Sequence, residues 1–291
     1  MIDNRGQALQ VGAVLLLGIL VVLIAVWQAT VIPEQNEQVE FEHNQQVQSE
    51  MVDLRGELLS AADGSTPSSS PVRLGTDFPS RLLFVNPSSA TGNLQTEAVG
   101  DGAITIDNAQ AVDDSVSHFW DGSERTYESD SLRYSPDYRV FNGAPETMFD
   151  NSVVYNTFEN EDTTLAVSQQ SLINSDRITL LALEGDYFET GVRSESPDIE
   201  PVSTGSQTVD IEPADDDPIT IEIPTRLSHE EWEELVAGED VEVEDNGDNS
   251  IILELTGDEY ELNMAKLGIG PAVESTDPAY ITEVAGGDET A

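Results

Sequence analysis

An α+β chain is predicted, with a long N-terminal transmembrane and amphipathic helix followed by a mainly antiparallel, β-sandwich-like extracellular domain. Three patterns predict it. Residues 11–27 contain only apolar side chains and glycine, and no charge falls between Arg5 and Glu34. From Glu34 to Leu59 there is no proline and glycine occurs only at 56, while Val47, Met51, Leu54 and Leu58 recur at i, i+4, i+7 and i+11. Further on, short β-branched runs alternate with Gly, Asp, Asn and Pro punctuation, as strands joined by turns do.

The first element is the uncharged segment. About 26 residues of helix at roughly 1.5 Å each are enough to cross a hydrocarbon core of about 30 Å. A cleaved secretory signal has a shorter apolar region, about 7–15 residues, and then a small-x-small site. Here the run is longer and ends in Val26-Trp27-Gln28-Ala29-Thr30-Val31-Ile32-Pro33, which favours a retained helix over ordinary signal cleavage. Val11, Leu17, Leu20, Ile24 and Trp27 are its marker residues. Arg5 supplies the positive charge that keeps a short N-terminus cytoplasmic, so the rest of the chain faces outward, with the Trp27 indole near the outer interface.

The order Asp3-Asn4-Arg5-Gly6-Gln7-Ala8, followed directly by an unbroken hydrophobic helix, resembles the class III leader of archaeal type IV pilin-like and archaellin proteins. The resemblance covers roughly the first 30 residues, or about 60 with the helix that follows. It implies that a membrane peptidase removes residues 1–6, cutting after Gly6, so that Arg5, Gly6 and Gln7 form the processing site and the hydrophobic helix stays on the mature protein. It also implies a partner, further copies of the chain packed through that helix. The bacterial form of the motif carries glutamate at the fifth mature position; here that position is Val11 and the nearest polar residue is Gln10, a departure that suits an archaeal member.

Composition points to a solvent. Eleven Lys plus Arg stand against 57 Asp plus Glu, a formal net charge of −46, and Lys266 is the single lysine. Such self-repulsion loosens a compact domain at low ionic strength, because the Debye length is about 10 Å at 0.1 M and about 3 Å at 1 M. The acids are interleaved with Val, Ile and Leu rather than gathered in one tail, and this resembles proteins of halophilic archaea. Nucleic acid is excluded as a partner, since no basic patch exists to neutralise phosphates. With no cysteine, thiol catalysis and thiolate metal sites are excluded too. Asn86 is followed by Pro87, which blocks its glycosylation sequon.

After the membrane segment (7–33) an amphipathic helical stalk is expected at 34–60, then a linker at 61–76 built on Ser65-Thr66-Pro67-Ser68-Ser69-Ser70-Pro71. A β-rich domain of one or two subdomains spans 77–270, and an acidic tail spans 271–291. Strands are expected at 81–86, 103–107, 152–158, 177–184, 187–192, 207–211, 219–223, 241–244, 251–255 and 260–267. One short helix interrupts them. Ser228-His229-Glu230-Glu231 has the Ser-x-x-Glu capping-box form and Gly238 follows as a stop. Trp232 is expected as a core anchor and His229 as a solvated surface residue.

Phe119, Trp120, Tyr134 and Tyr138, in a Gly/Pro-punctuated region at 118–149, are a candidate ligand groove; the alternative is a long loop or hairpin stitched to the sandwich by buried rings. No catalytic residues, cofactor or metal site are expected. The three histidines form no His-x-His or His-Glu-x-x-His pattern, and Gly-x-Ser-x-Gly is absent. Asp215-Asp216-Asp217 and Asp245-Asn246-Gly247-Asp248-Asn249 lack calcium-loop spacing and are taken as turns. Together these features predict a pilin-like surface subunit with structural or adhesive function and no enzymatic role. A monomeric membrane-anchored binding protein is the alternative, with an anchored hydrolase third.

Overall fold

The computed structural model describes residues 4–62, 69–114, 116–158, 163–202, 208–247 and 249–270. A single helix, α1 (Asn4–Ala62), runs 59 residues and continues through Pro33, which makes it roughly 90 Å long at 1.5 Å per residue. A mid-helix proline forfeits one backbone hydrogen bond and crowds the preceding turn. This one lies where the uncharged half of the helix gives way to the polar half. The expected class is found: a long helix, apolar at its N-terminal end, precedes a mostly antiparallel β domain.

Three larger sheets make up that domain among the described residues. The first has the order Ile173–Asn174, Arg177–Glu184, Tyr260–Ile269, Thr208–Pro213, Ala109–Ala111, with Ile199–Pro201 also paired to Tyr260–Ile269. The second has the order Phe188–Gly191, Thr91–Glu97, Ser131–Asp137, Glu146–Asp150, Val153–Phe158, Thr163–Ala166. The third has the order Val241–Gly247, Ser250–Leu255, Ile219–Pro224, Ala103–Asp107, Arg125–Glu128. A parallel pair joins Arg177–Glu184 to Tyr260–Ile269, running from Arg177 opposite Glu261 to Glu184 opposite Gly268. Parallel strands are normally covered on both faces, and Ile178-Thr179-Leu180-Leu181-Ala182-Leu183 is accordingly almost continuously apolar.

Those strands separate two cores. Ile178, Leu180 and Ala182 face one core, with Ile104, Ile221, Leu253, Leu262 and Met264. Leu181 and Leu183 face the other, with Leu94, Leu132, Leu267 and the α1 residues Val47, Met51, Leu54 and Leu58. The period-2 alternation of a strand thus places successive side chains on opposite sides of one sheet. Glu146–Asp150 and Val153–Phe158 are shared in the same way, with Met148 and Tyr155 on one side and Phe149 and Val154 on the other.

α2 (His229–Leu235) has the expected capping box: the Ser228 side chain accepts from the Glu231 N–H, and the Glu231 carboxylate accepts from the Ser228 N–H. Gly238, at φ +100°, takes the left-handed turn that follows the helix. Trp232 is fully buried and its indole N–H reaches Thr225 Oγ1 at 3.3 Å.

Several expectations are corrected. Residues 81–86 form no strand; Leu82 and Val85 are 99% and 79% exposed, so this apolar run has no partner strand or core face. The proposed linker is structured at both ends. Ala61 and Ala62 are buried in the last turn of α1, and Val72–Arg73 pairs with Ser194–Glu195, with Val72 and Leu74 in the second core. Residues 63–68 and the acidic tail lie outside the described residues. Of the two forms expected for the aromatic region, long loop or hairpin, the hairpin is found: Ser131–Asp137 pairs antiparallel with Glu146–Asp150, and Arg125–Glu128 adds a strand before it. His229 is partly buried, with Nε2 3.0 Å from Val243 O.

Candidate membrane anchor and its seat on the head

α1 divides into two surfaces. Towards its N-terminus Val11, Val14, Leu15, Leu16, Leu17 and Leu20 are each more than half exposed, as is Trp27, and Ile24 is partly exposed. A Cβ added at Gly12 or Gly18 would meet nothing. Contiguous apolar surface on this scale exceeds what soluble monomers leave in water. Length and composition suit a single-pass membrane anchor. Arg5, Gly6 and Gln7 fall in the first turns of the helix, and their side chains lie outside the described residues.

The other half is seated on the head along one stripe. Ile32, Asn36, Glu40, His43, Asn44, Val47, Met51, Leu54, Leu58 and Ala61 are all buried, and their three-and-four spacing is that of one helix face. The stripe is apolar at its C-terminal end, where Val47, Met51, Leu54 and Leu58 contribute roughly 1.5–3 kcal/mol each by burial. Its N-terminal end is polar. Both carboxylate oxygens of Glu40 accept backbone hydrogen bonds, from the N–H groups of Arg139 (2.7 Å), Val140 (2.8 Å) and Phe141 (2.6 Å).

Around Glu40 the clasp continues. His43 Nδ1 lies 2.7 Å from Tyr138 Oη; burial, helped by the nearby Arg73 charge, lowers the His43 pKa to about 4. The Arg73 N–H donates to Glu50 Oε2 at 2.6 Å and its guanidinium to Gln46 Oε1 at 2.9 Å. Arg55 reaches the opposite side, donating to Ser152 O, to Gln169 O at 2.9 Å and to Ser171 Oγ at 2.5 Å. Helix and head are therefore bound through both greasy and polar contacts over about eight turns, from Ile32 to Ala61.

The four aromatic residues do not line one groove, which corrects that expectation. Trp120 is buried in the first core and Tyr134 in the second. Tyr134 Oη donates to Leu74 O at 2.9 Å, and a Cβ on Gly92 would come within 2.6 Å of that hydroxyl, so the ring fills its slot. Tyr138 packs between His43 and Phe141, with ring centroids 5.7 and 6.0 Å away. Phe119 is capped by Arg125, whose Cζ lies 4.5 Å from the ring centroid. The rings stitch elements together, as the alternative had it.

Buried polar groups escaped the sequence, among them Glu40, His43 and Asp150. Asp150, in the first core's wall, accepts from Tyr155 Oη at 2.5 Å; burial pushes its carboxyl up to about 7 against the opposing pull of the Tyr155 and Thr225 hydroxyls and Arg226. The acidic turns behave as Asx turns: Asp215 Oδ1 accepts from the Asp217 N–H at 3.0 Å and Asp245 Oδ1 from the Gly247 N–H at 2.9 Å. Asp248 lies outside the described residues.

No family model matches the chain, and no solved structure matches it. An uncharacterized protein of Archaeoglobus fulgidus is 28% identical over 93 residues, which cover 32% of this chain and 16% of that protein. The chain thus spans less than a fifth of that relative's length, and the relative's name carries no activity.

Proposed function

We propose that the chain is a pilin-like structural and adhesive subunit of the cell surface, adapted to high salt and without enzymatic role. The carrying observation is the division of α1: an exposed apolar half continuous with a half fastened into the head. Apolar surface of that extent is stable in lipid, or against equivalent helices once van der Waals contacts between copies replace those with lipid. On this proposal the leader is removed after Gly6, the N-terminus faces the cytoplasm and the acidic head projects outward. The clasp at Glu40, His43, Arg55 and Arg73 suits such a role, because a subunit in a filament must pass force from its spine to its head. The rival binding protein draws less support, since Trp120 and Tyr134 are buried in separate cores.

Leu17→Asp or Leu20→Asp tests the proposal. A charge there should abolish filaments in a sheared cell-surface fraction viewed by electron microscopy, whereas a monomeric anchor would merely insert less well. Filaments that persist with Leu20→Asp, or wild-type cells whose surface filaments lack this protein, would refute it.

A further inference from the structure

The loop at 80–87 has an arrangement that neither core explains. Leu82, Leu83 and Val85 are 99%, 69% and 79% exposed, a concentration of apolar side chains found nowhere else on the described head. This loop is hydrogen-bonded to α1 at two heights. Arg81 donates to Gln35 Oε1 at 3.1 Å and to Asn36 Oδ1 at 2.9 Å. Val85 exchanges two bonds with the Gln28 amide, its carbonyl accepting at 2.9 Å and its N–H donating at 3.1 Å. From Gln35 to Gln28 is roughly 10 Å along the helix axis, so the apolar residues run down α1 from the head towards its exposed end. They stop at the height of Gln28.

We infer that residues 82–85 form a second membrane contact, a wedge seated in the outer interface of the bilayer that α1 spans. The inference rests on the membrane-anchor reading above. Counted from Ala8, twenty residues reach Trp27, about the 30 Å of a hydrocarbon core. Gln28 and the loop tip then lie at the boundary between acyl chains and headgroups, where amphipathic and aliphatic groups partition. Charge agrees with that depth. The Arg81 hydrogen bonds described all end on neutral oxygens, those of Gln35, Asn36 and Asn86, and it forms no ion pair among the described residues. A guanidinium left without a carboxylate partner, in a chain with this acid excess, is matched to lipid phosphate. The wedge fixes the tilt and height of the head above the membrane, which one helix alone does not.

The chain has no cysteine, so single-cysteine variants of the full-length protein can carry an environment-sensitive fluorophore. Leu83→Cys, Leu20→Cys and Leu165→Cys, the last 57% exposed on the head, are labelled and reconstituted in phosphatidylcholine/phosphatidylglycerol vesicles at low protein density. Lipids with nitroxide at shallow or deep positions serve as quenchers. The label at 83 should be blue-shifted and quenched severalfold more by the shallow nitroxide than the label at 165, with the label at 20 quenched by the deep one. A label at 20 in lipid with the label at 83 in water overturns the wedge alone. Both labels in water overturn the anchor reading with it. A blue shift at 83 that needs high protein density and resists lipid quenching assigns the loop to a second copy and also overturns the wedge.

Discussion

Glu40 has no exposed surface, yet its two oxygens satisfy three consecutive backbone N–H groups of the head. Glu40→Ala would strand those donors, and denaturant titration of the protein should show a loss of roughly 2–4 kcal/mol, with a smaller loss for Glu40→Gln. His43 and Asp150 set opposing pH dependences. The His43 pKa falls from 6.5 to about 4 on folding, so its contribution is complete above 6.5 and is lost as pH drops towards 4, on the order of 2–3 kcal/mol. That of Asp150 rises from 3.8 to about 7, so its contribution is complete below 3.8 and is lost as pH climbs to 7. In concentrated salt, which screens the general repulsion, Asp150→Asn should lose stability on acidification from pH 6.5 to 4, and His43→Gln should gain it. Equal slopes in the two variants would contradict both assignments. None of these residues stood out in the sequence, where Glu40 is one of Glu34, Glu37, Glu40 and Glu42. Its signal was positional: continuing the stripe back from Val47 at three-and-four spacing meets His43, Glu40, Asn36 and Ile32.

At the level of elements, α1 and α2 were legible because helical periodicity and a capping box are local signals. Both strands of the central pair were expected, at 177–184 and 260–267, but their parallel pairing was not, because which strands become neighbours is set by tertiary packing. Thr91–Glu97 and Ser131–Asp137 were not, for they contain Gly92, Asn93 and Pro136, residues depleted from strands; pairing between neighbours overrides that local preference. The error at 81–86 runs the other way. Leu82-Leu83-Phe84-Val85 has strand composition, but the Gln28 and Arg81 bonds spend it on the flank of α1. The division of α1 makes a direct prediction. Deleting residues 1–26 should yield a water-soluble head with native near-ultraviolet circular dichroism, since burial on the helix begins at Ile32. Deleting residues 1–58 removes Val47, Met51, Leu54 and Leu58 from the second core, and size-exclusion chromatography should then show aggregates. A 1–26 deletion that aggregates would mean that the exposed half stabilises the head.

For the whole molecule, charge and anchoring act together. A net charge of −46 repels itself most when the Debye length is long, so thermal unfolding should move upward as salt rises from about 0.1 M to above 1 M. A midpoint that falls or stays flat over that range would contradict adaptation to brine. Charge and hydrophobic extent were readable from composition, while the way the head is bolted to its spine required the fold. The central claim is that the exposed half of α1 remains on the finished protein as its membrane and assembly element. Intact-mass spectrometry of the native product from the membrane and surface-filament fractions tests this directly. The account predicts a chain beginning at Gln7 and retaining residues 11–27; a product that begins beyond Ile32 and is recovered free of lipid would contradict it.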